Sequence, residues 1–371
     1  MSAAEKSSTW VEIDLTALRE NVRAFLMQTG RELMAIVKAN AYGHGAVPVA
    51  RTAVQSGATW LGVSRIEEAL ELREAGIDTK ILILGYTPPR KISTAIRNHV
   101  SIACWDRRQI DLISKFAVNN RIDAKAHLKV DTGMSRLGAS YQSAESIAEY
   151  IIKKPGVEFE GLFTHYACAD EPNTAVTDLQ ERRFMDLLNR LEKNQTLPGI
   201  LHVSNSAAAL VRPSSYFNMV RIGIALYGLH PSRNRMLNEN FSPALSWKSI
   251  LSQVKDVPPG TGISYGHEYI TSKRELIGTI PTGYGDGYRR VKGNNVLVGG
   301  KRVPVVGRVC MDYIMVNLDD APDAKEGDEV VIIGSQNGIS ITAEEIANRW
   351  DTINYEVVCG ITARVPRIYF N

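Results

Sequence analysis

The feature that most constrains this chain is an alternation of two periodicities. Short apolar runs of strand character lie at Leu33–Ala39, Trp60–Ser64, Lys80–Gly85, Val100–Trp105, Ala126–Asp131, Gly161–Ala167, Ile200–Ser204 and Val220–Tyr227. Between most of them the spacing predicts helices, over Val47–Gln55, Arg65–Ala75, Arg90–Asn98, Arg107–Asn119, Ser143–Lys153 and Thr177–Glu192. In IEEALELREAG, Ile66, Ala69, Leu70 and Leu72 mark one face and Gly76 supplies the stop. Only Ala207–Leu210 represents the seventh helix. Strands alternating with helices imply parallel βαβ units. Eight of them over roughly 200–250 residues fit an α/β fold of the closed (β/α)8, TIM-type barrel better than an open doubly wound sheet. No GxGxxG follows any run, which argues against a dinucleotide-binding fold. Ahead of the repeat, Trp10–Leu15 reads as strand, with Asp14 placed to cap a helix over Leu15–Met27.

The pattern changes near Phe241–Pro243. Beyond it, Glu275–Ile280, Asn295–Val298, Lys301–Val306, Tyr313–Leu318 and Asp328–Ile333 are short strands divided by Gly- and Pro-bearing turns, with one late helix at Ala343–Trp350. This predicts a second, mostly antiparallel β domain. The expected division is a barrel over residues 9–242 and a C-terminal domain over 243–371. The length of 371 residues suits two such units. A net charge of +3, without a basic run carrying interleaved aromatics, gives no reason to expect nucleic acid. MSAAEKSSTW lacks the apolar core of a secretory signal, and no apolar segment is long enough to span a bilayer, so no membrane role is expected. Cys104, Cys168, Cys310 and Cys359 form no CxxC pair, which points away from zinc and disulfides and toward the reducing cytoplasm.

In a (β/α)8 barrel the active site lies at the C-terminal ends of the strands. Those ends offer Lys38, Lys129 with Asp131, His165, Asn205 with Ser206, and Arg221 with Gly223; Arg136 follows in the loop DTGMSRLG. A lysine at the mouth of a buried strand is desolvated, which favours its neutral, nucleophilic amine, and such an amine forms Schiff bases with carbonyl compounds. In MVRIGIALYG, Val220, Ile222, Ile224 and Leu226 alternate with Arg221, Gly223, Ala225 and Tyr227, so Arg221 faces the barrel interior beside small residues. Backbone amides after strands seven and eight commonly cradle phosphate in this fold. An imine-forming lysine, phosphate-binding amides and an arginine facing a ring nitrogen together fit pyridoxal 5'-phosphate.

The stretches VKANAYGHG, HLKVDTGMSRLG, FTHYACADE, HVSNSAAAL, VRIGIALYG, ISYGHEY, PTGYGDGYRR, GRVCMDYIMV and INYEVVCG with RVPR resemble, in this order, the motifs of the alanine racemase family, and they span both expected domains. The resemblance implies a barrel-type, pyridoxal-phosphate-dependent isomerase interconverting L- and D-alanine, which would supply peptidoglycan. It also implies a head-to-tail homodimer whose active sites borrow residues from the partner's C-terminal domain. Lys38 then resembles the Schiff-base lysine and the base serving D-alanine, and Tyr265 the opposing base serving L-alanine, supplied by the other subunit. Tyr42, Ser206, Gly223, Ile224 and Tyr355 match the phosphate-binding set. Arg221 matches the arginine facing the pyridine nitrogen and His165 the residue beside it. Arg136 resembles the contact to the cofactor's phenolic oxygen and the substrate carboxylate, and Met311 a partner-subunit residue at the substrate. Lys129 aligns with a lysine carbamylated in some members. No metal is implied.

Inverting a carbon centre calls for proton removal on one face and delivery on the other, which two flanking bases accomplish. Ordinary lysine and tyrosine titrate at about 10.4 and 10, so bases of these types need burial or cationic neighbours to act near neutrality. An arginine always donates. At the ring nitrogen it would keep that nitrogen unprotonated and restrain transamination. Tyr284 and Asp286 are equally consistent with turn chemistry and with a substrate entrance. Rival readings are a racemase of broader specificity, such as for serine, and a cofactor-carrying barrel without turnover. The C-terminal domain bearing Tyr265 speaks against the second.

Overall fold

The computed structural model describes residues 7–371; residues 1–6, part of the N-terminal segment read as too polar for a secretory signal, lie outside them. The chain divides into two compact units. One comprises Leu18–Ala41 and Ala46–Ser242; the other gathers the described residues through Ala17, the stretch Tyr42–Gly45, and Pro243–Asn371.

The first unit is a parallel eight-stranded barrel. Its strands are Glu32–Ile36, Trp60–Val63, Lys80–Ile83, Val100–Cys104, Ala124–Asp131, Val157–Phe163, Ile200–His202 and Met219–Ile222, each paired with its predecessor from the second to the seventh. The eighth returns to the first, with Met219 opposite Glu32 and Val220 opposite Leu33. The gap between strands seven and eight is bridged by Asn218 N–H to Leu201 O (3.1 Å) and Arg221 N–H to Ser204 O (2.9 Å). Leu33, Met34, Ala35, Trp60, Leu61, Ile81 and Leu82 are fully buried, as strands covered on both faces require. Helices Ala46–Gln55, Ile66–Glu74, Pro89–Arg97, Arg107–Asn120, Ala144–Ile152, Ala175–Lys193 and Ser206–Val211 alternate with the strands. The leading helix, Leu15–Thr29, begins where Asp14 Oδ1 accepts from the N–H groups of Thr16 and Ala17 at 2.8 and 2.9 Å.

Most barrel strands differ from the sequence reading by one or two residues at an end, and three differ by more. Strand one stops at Ile36 rather than Ala39, and strand six runs Val157–Phe163 rather than Gly161–Ala167. Strand eight stops at Ile222, because Gly223 leaves the extended region (φ −104°, ψ −106°) and Ile224–Tyr227 form a 3-10 turn.

The second unit is a ten-stranded, mostly antiparallel sheet. Its main path runs Gln253–Val257, Glu275–Ile280, Ile314–Asn317, Lys301–Val306, Asn295–Val298, Glu329–Gln336, Leu245–Ile250, Thr9–Asp14 and Arg367–Phe370, with Ile339–Ile341 added beside Glu329–Gln336. Thr9–Asp14, counted with the barrel in the sequence reading, pairs antiparallel with Leu245–Ile250 and parallel with Arg367–Phe370. The stretch Tyr42–Gly45 joins this unit through Gly43, whose φ is +83° and whose position would bring a Cβ within 2.2 Å of Val358 O.

Candidate active site

Lys38 follows strand one after a single residue, Val37, and the backbone then turns left-handed. Ala39, Asn40, Ala41 and Tyr42 have φ of 52°, 54°, 52° and 53°, and Ala41 N–H donates to Val37 O at 2.9 Å. Such a conformation costs roughly 1–2 kcal/mol per non-glycine residue, so neighbouring groups must impose it. Two side chains do so within the barrel unit. Glu68 Oε1 accepts from Ala39 N–H at 2.7 Å, while its Oε2 accepts from the N–H groups of Ser64 and Arg65 at 2.7 and 3.0 Å. Asn40 Oδ1 accepts from Ala46 N–H at 2.8 Å. Sequence reasoning assigned Glu68 only to an amphipathic helix; its place at the first turn of that helix was the available signal.

Around Lys38 the barrel assembles cations. Lys129, on strand five, is buried, with Nζ 3.4 Å from Leu84 O and 5.3 Å from the Phe163 ring centroid. Burial and then the charges of Arg136, Arg221 and Lys38 bring its amine down to about 8, against only Asp131 on the other side. Arg136 is exposed on a loop fixed at its base, where Asp131 Oδ1 accepts from the N–H groups of Gly133, Met134 and Ser135 at 2.9, 3.0 and 3.0 Å. His165 is held well below the usual histidine value by burial and by Arg221, Arg136, Lys129 and Lys38.

Arg221 is buried at the wall of the barrel. Its Nη1 donates to His202 O (2.7 Å) and His202 Nδ1 (3.1 Å); its Nη2 donates to Thr164 O (2.9 Å), Val203 O (3.0 Å) and His165 Nδ1 (3.2 Å). Burial lowers the guanidinium to about 9, still protonated at neutral pH. Among the described residues, its hydrogen bonds all use the two Nη atoms, which leaves Nε–H for an outside acceptor.

Ser206 opens the helix Ser206–Val211, whose N-cap Asn205 accepts from Ala208 N–H at 3.0 Å. Gly223 N–H donates to Ser206 Oγ at 2.9 Å, and Ile224 starts the 3-10 turn. The barrel thus brings together two short helical N-termini whose first amides lack intrahelical partners, a ready cradle for an anion.

The remaining expected residues belong to the second unit. Tyr42 and Tyr355 have ring centroids 6.0 Å apart, and burial followed by Tyr355 raises the Tyr42 phenol above its ordinary value. Tyr265 lies on the turn of a small hairpin, Gly262–Ile263 with Tyr269–Ile270, and is 68% exposed. Ser264 beside it has φ 63° and its Oγ donates to Arg308 O at 2.6 Å. Met311 is exposed on the neighbouring loop, tied to that hairpin by Ser264 Oγ and Cys310 Sγ at 3.4 Å. Of the undecided pair, Asp286 is buried and accepts from Gly283 N–H at 2.9 Å, a turn role, whereas Tyr284 is exposed on the loop joined to Met311 through Gly285 N–H to Met311 O (2.9 Å).

A cluster of cations with one nearby carboxylate calls for anionic ligands. A phosphate for the amide cradle, an acceptor nitrogen for Arg221 Nε–H and an aldehyde for Lys38 are what pyridoxal 5'-phosphate presents, so the residues fit that cofactor. Among the described residues no group of His, Cys, Asp and Glu is disposed to hold a metal ion. The family model described as alanine racemase, N-terminal domain, matches residues 13–231, and that described as alanine racemase, C-terminal domain, matches 244–369. The alanine racemase of Desulfovibrio desulfuricans is 45% identical over 364 residues, 97% of each chain. That of Symbiobacterium thermophilum is 44% identical, again covering 97% of each. The solved alanine racemase of Clostridium difficile superposes with a TM-score of 0.94 at 39% identity, covering 98% of this chain and 96% of that one. The Bacillus anthracis alanine racemase, solved with bound L-Ala-P, gives 0.92 at 40% identity, covering 98% and 95%. With both domain profiles matched in order and such identity sustained from end to end, this chain belongs to the alanine racemase family.

Proposed function

We propose that this chain is an alanine racemase that interconverts L- and D-alanine, with pyridoxal 5'-phosphate in the barrel mouth. The observation that carries the reading is the convergence of Lys38, Lys129, Arg136 and Arg221 around His165 beside the Ser206–Gly223 amide cradle. When bound, the cofactor supplies an electron sink that makes the α-proton of the amino acid acidic. Ser206, Gly223 and Ile224, together with Tyr42 and Tyr355, hold the phosphate. Arg221 donates Nε–H to the ring nitrogen, and its permanent charge keeps that nitrogen an acceptor. His165, neutral in this field of cations, packs beside it. Arg136 takes the substrate carboxylate and the phenolic oxygen.

Lys38 anchors the cofactor through its amine and moves the proton on the face serving D-alanine. Tyr265 and Met311 come from the second copy of a homodimer, with the phenol moving the proton on the face serving L-alanine; their exposure suits a partner-facing role. Lys129 carries a carbamate that orients Arg136, a reading supported by the lowered amine. The barrel domain is taken as 9–242 and the β domain as 243–371, with Thr9–Asp14 lent to the second sheet; family profiles ending at 231 and resuming at 244 favour that division. Four free, dispersed cysteines suit the reducing cytoplasm, where the D-alanine made would feed peptidoglycan.

Incubation of the cofactor-loaded protein with L-alanine in heavy water tests the assignment. Loss of optical rotation with deuterium gained at the α-carbon is expected, and serine alongside should turn over far more slowly. Retention of both optical activity and the α-proton would refute it.

A further inference from the structure

Behind Arg221, on the side away from its Nε–H, a line of buried polar groups runs along the barrel interior. His202 Nε2 lies 2.9 Å from His127 Nδ1, and His127 Nε2 lies 3.1 Å from Glu160 Oε2. That oxygen also accepts from Ser101 Oγ at 2.6 Å, and Lys125 Nζ donates to Oε1 at 3.1 Å. His127 and His202 are wholly buried and Glu160 almost so.

The donors in this line can be ordered in only one way. Arginine has no acceptor, so the Nδ1 of His202 facing Arg221 Nη1 must be bare. A neutral His202 then carries its proton on Nε2 and donates to His127 Nδ1. That makes His127 Nδ1 an acceptor, puts its proton on Nε2, and aims it at the Glu160 carboxylate. A second proton on either ring would set two donors face to face. Every hydrogen bond therefore points from the guanidinium toward the carboxylate. Charge states agree: burial lowers the His127 ring below its ordinary value, and burial with Arg221 lowers His202 further. Burial would raise Glu160, but hydrogen bonds from His127, Ser101 and Lys125 hold it at about 2.

The strand is shaped for this purpose. Ala126 pairs with Phe159 and His127 with Gly161, so Glu160 is the extra residue of a bulge, the device by which strands re-aim a side chain. A Cβ on Gly161 would lie 2.4 Å from His127 Nδ1. His202 is stacked on Phe163, with centroids 4.7 Å apart and planes 9° apart. Among the described residues no carboxylate pairs directly with Arg221, so Glu160 is the countercharge reached through the two rings.

We propose that His202, His127 and Glu160 are positioning residues, a one-way hydrogen-bond chain that locks the Arg221 guanidinium with Nε–H turned toward the cofactor ring. This rests on the reading of Arg221 as the ring-nitrogen contact. Protein labelled with 15N at its seven histidines tests it first without any substitution. At neutral pH, long-range ring correlations should assign His127 and His202 as uncharged Nε2–H tautomers, with His127→Gln and His202→Gln identifying the signals. An Nδ1–H or charged form at either ring overturns the chain. Glu160→Gln should then shift the His127 ring signals and lower kcat about tenfold, with KM for alanine within about twofold and the cofactor absorbance band displaced. Unmoved ring signals and unchanged kcat would overturn it equally. The two readings fail separately. Correct tautomers in a protein that racemises nothing would sink the function and leave the chain, whereas a working racemase with the wrong tautomers does the reverse.

Discussion

Replacing Lys129 by methionine probes the site where function works against stability. The folded protein holds this amine at about 8 against an ordinary 10.5, a difference that converts to roughly 3 kcal/mol at 1.36 kcal/mol per unit. The group is largely buried, so solvent screening trims that ceiling only moderately, to about 2–3 kcal/mol. The sign follows from linkage. A base whose value falls on folding binds fewer protons in the native state, so the cost is complete below about pH 8 and fades as pH rises through 10.5. Methionine keeps the packing against Phe163 and removes the charge. In cofactor-free, CO2-depleted protein at pH 7, Lys129→Met should raise the thermal midpoint by about 4–12 °C, at 2–4 °C per kcal/mol for a unit of this size. At pH 10 the gain should shrink to a small residue, while activity of the loaded variant falls about 10–100-fold. The same lowering makes the neutral amine about 300-fold more abundant at neutral pH than in an ordinary lysine. Wild-type protein given 13C-bicarbonate should therefore show a carbamate signal that the variant lacks. A variant less stable than wild type at pH 7, or a gain that persists undiminished at pH 10, would refute the charge argument.

Tyr265→Phe should lose most racemase activity yet retain cofactor absorbance, while Lys38→Ala should fail to develop the lysine-bound band; normal turnover by the phenylalanine variant would refute the two-base assignment. Ser206→Ala removes the acceptor of Gly223 N–H at 2.9 Å and should weaken cofactor binding by about 1–2 kcal/mol, read as a roughly tenfold rise in Kd in an absorbance titration. Gly161→Ala forces a Cβ to within 2.4 Å of His127 Nδ1; a cost of about 1–3 kcal/mol should lower the barrel's thermal midpoint by several degrees.

The barrel was legible because its signal is local. Runs such as Leu33–Val37 and helices such as Ile66–Glu74 carry their period within a dozen residues, and glycines mark the stops. Strand eight misled for the same reason. Val220, Ile222, Ile224 and Leu226 continue an alternating pattern past Gly223, yet the backbone departs there, and no residue type announces a ψ of −106°. The left-handed turn after Lys38 was equally hidden, since of Ala39, Asn40, Ala41 and Tyr42 only asparagine favours that region. Beside Asn40, what enforces it is Glu68, at a sequence distance no local period reports. Thr9–Asp14 reads as strand but finds its partners at Leu245–Ile250 and Arg367–Phe370, a choice made by non-local pairing.

The bulge at Glu160 is the deepest of these failures and the most instructive. In VEFEGLF, Glu158 and Glu160 stand two apart, so a regular strand would put both on one face, and Glu158 is exposed. Both carboxylates meet Lys125, Glu158 at 3.9 Å and exposed, Glu160 at 3.1 Å and buried, where its charge is costly unless three donors meet it. A core that accepts that cost has been shaped by what lies at the other end of the chain of donors, which is Arg221.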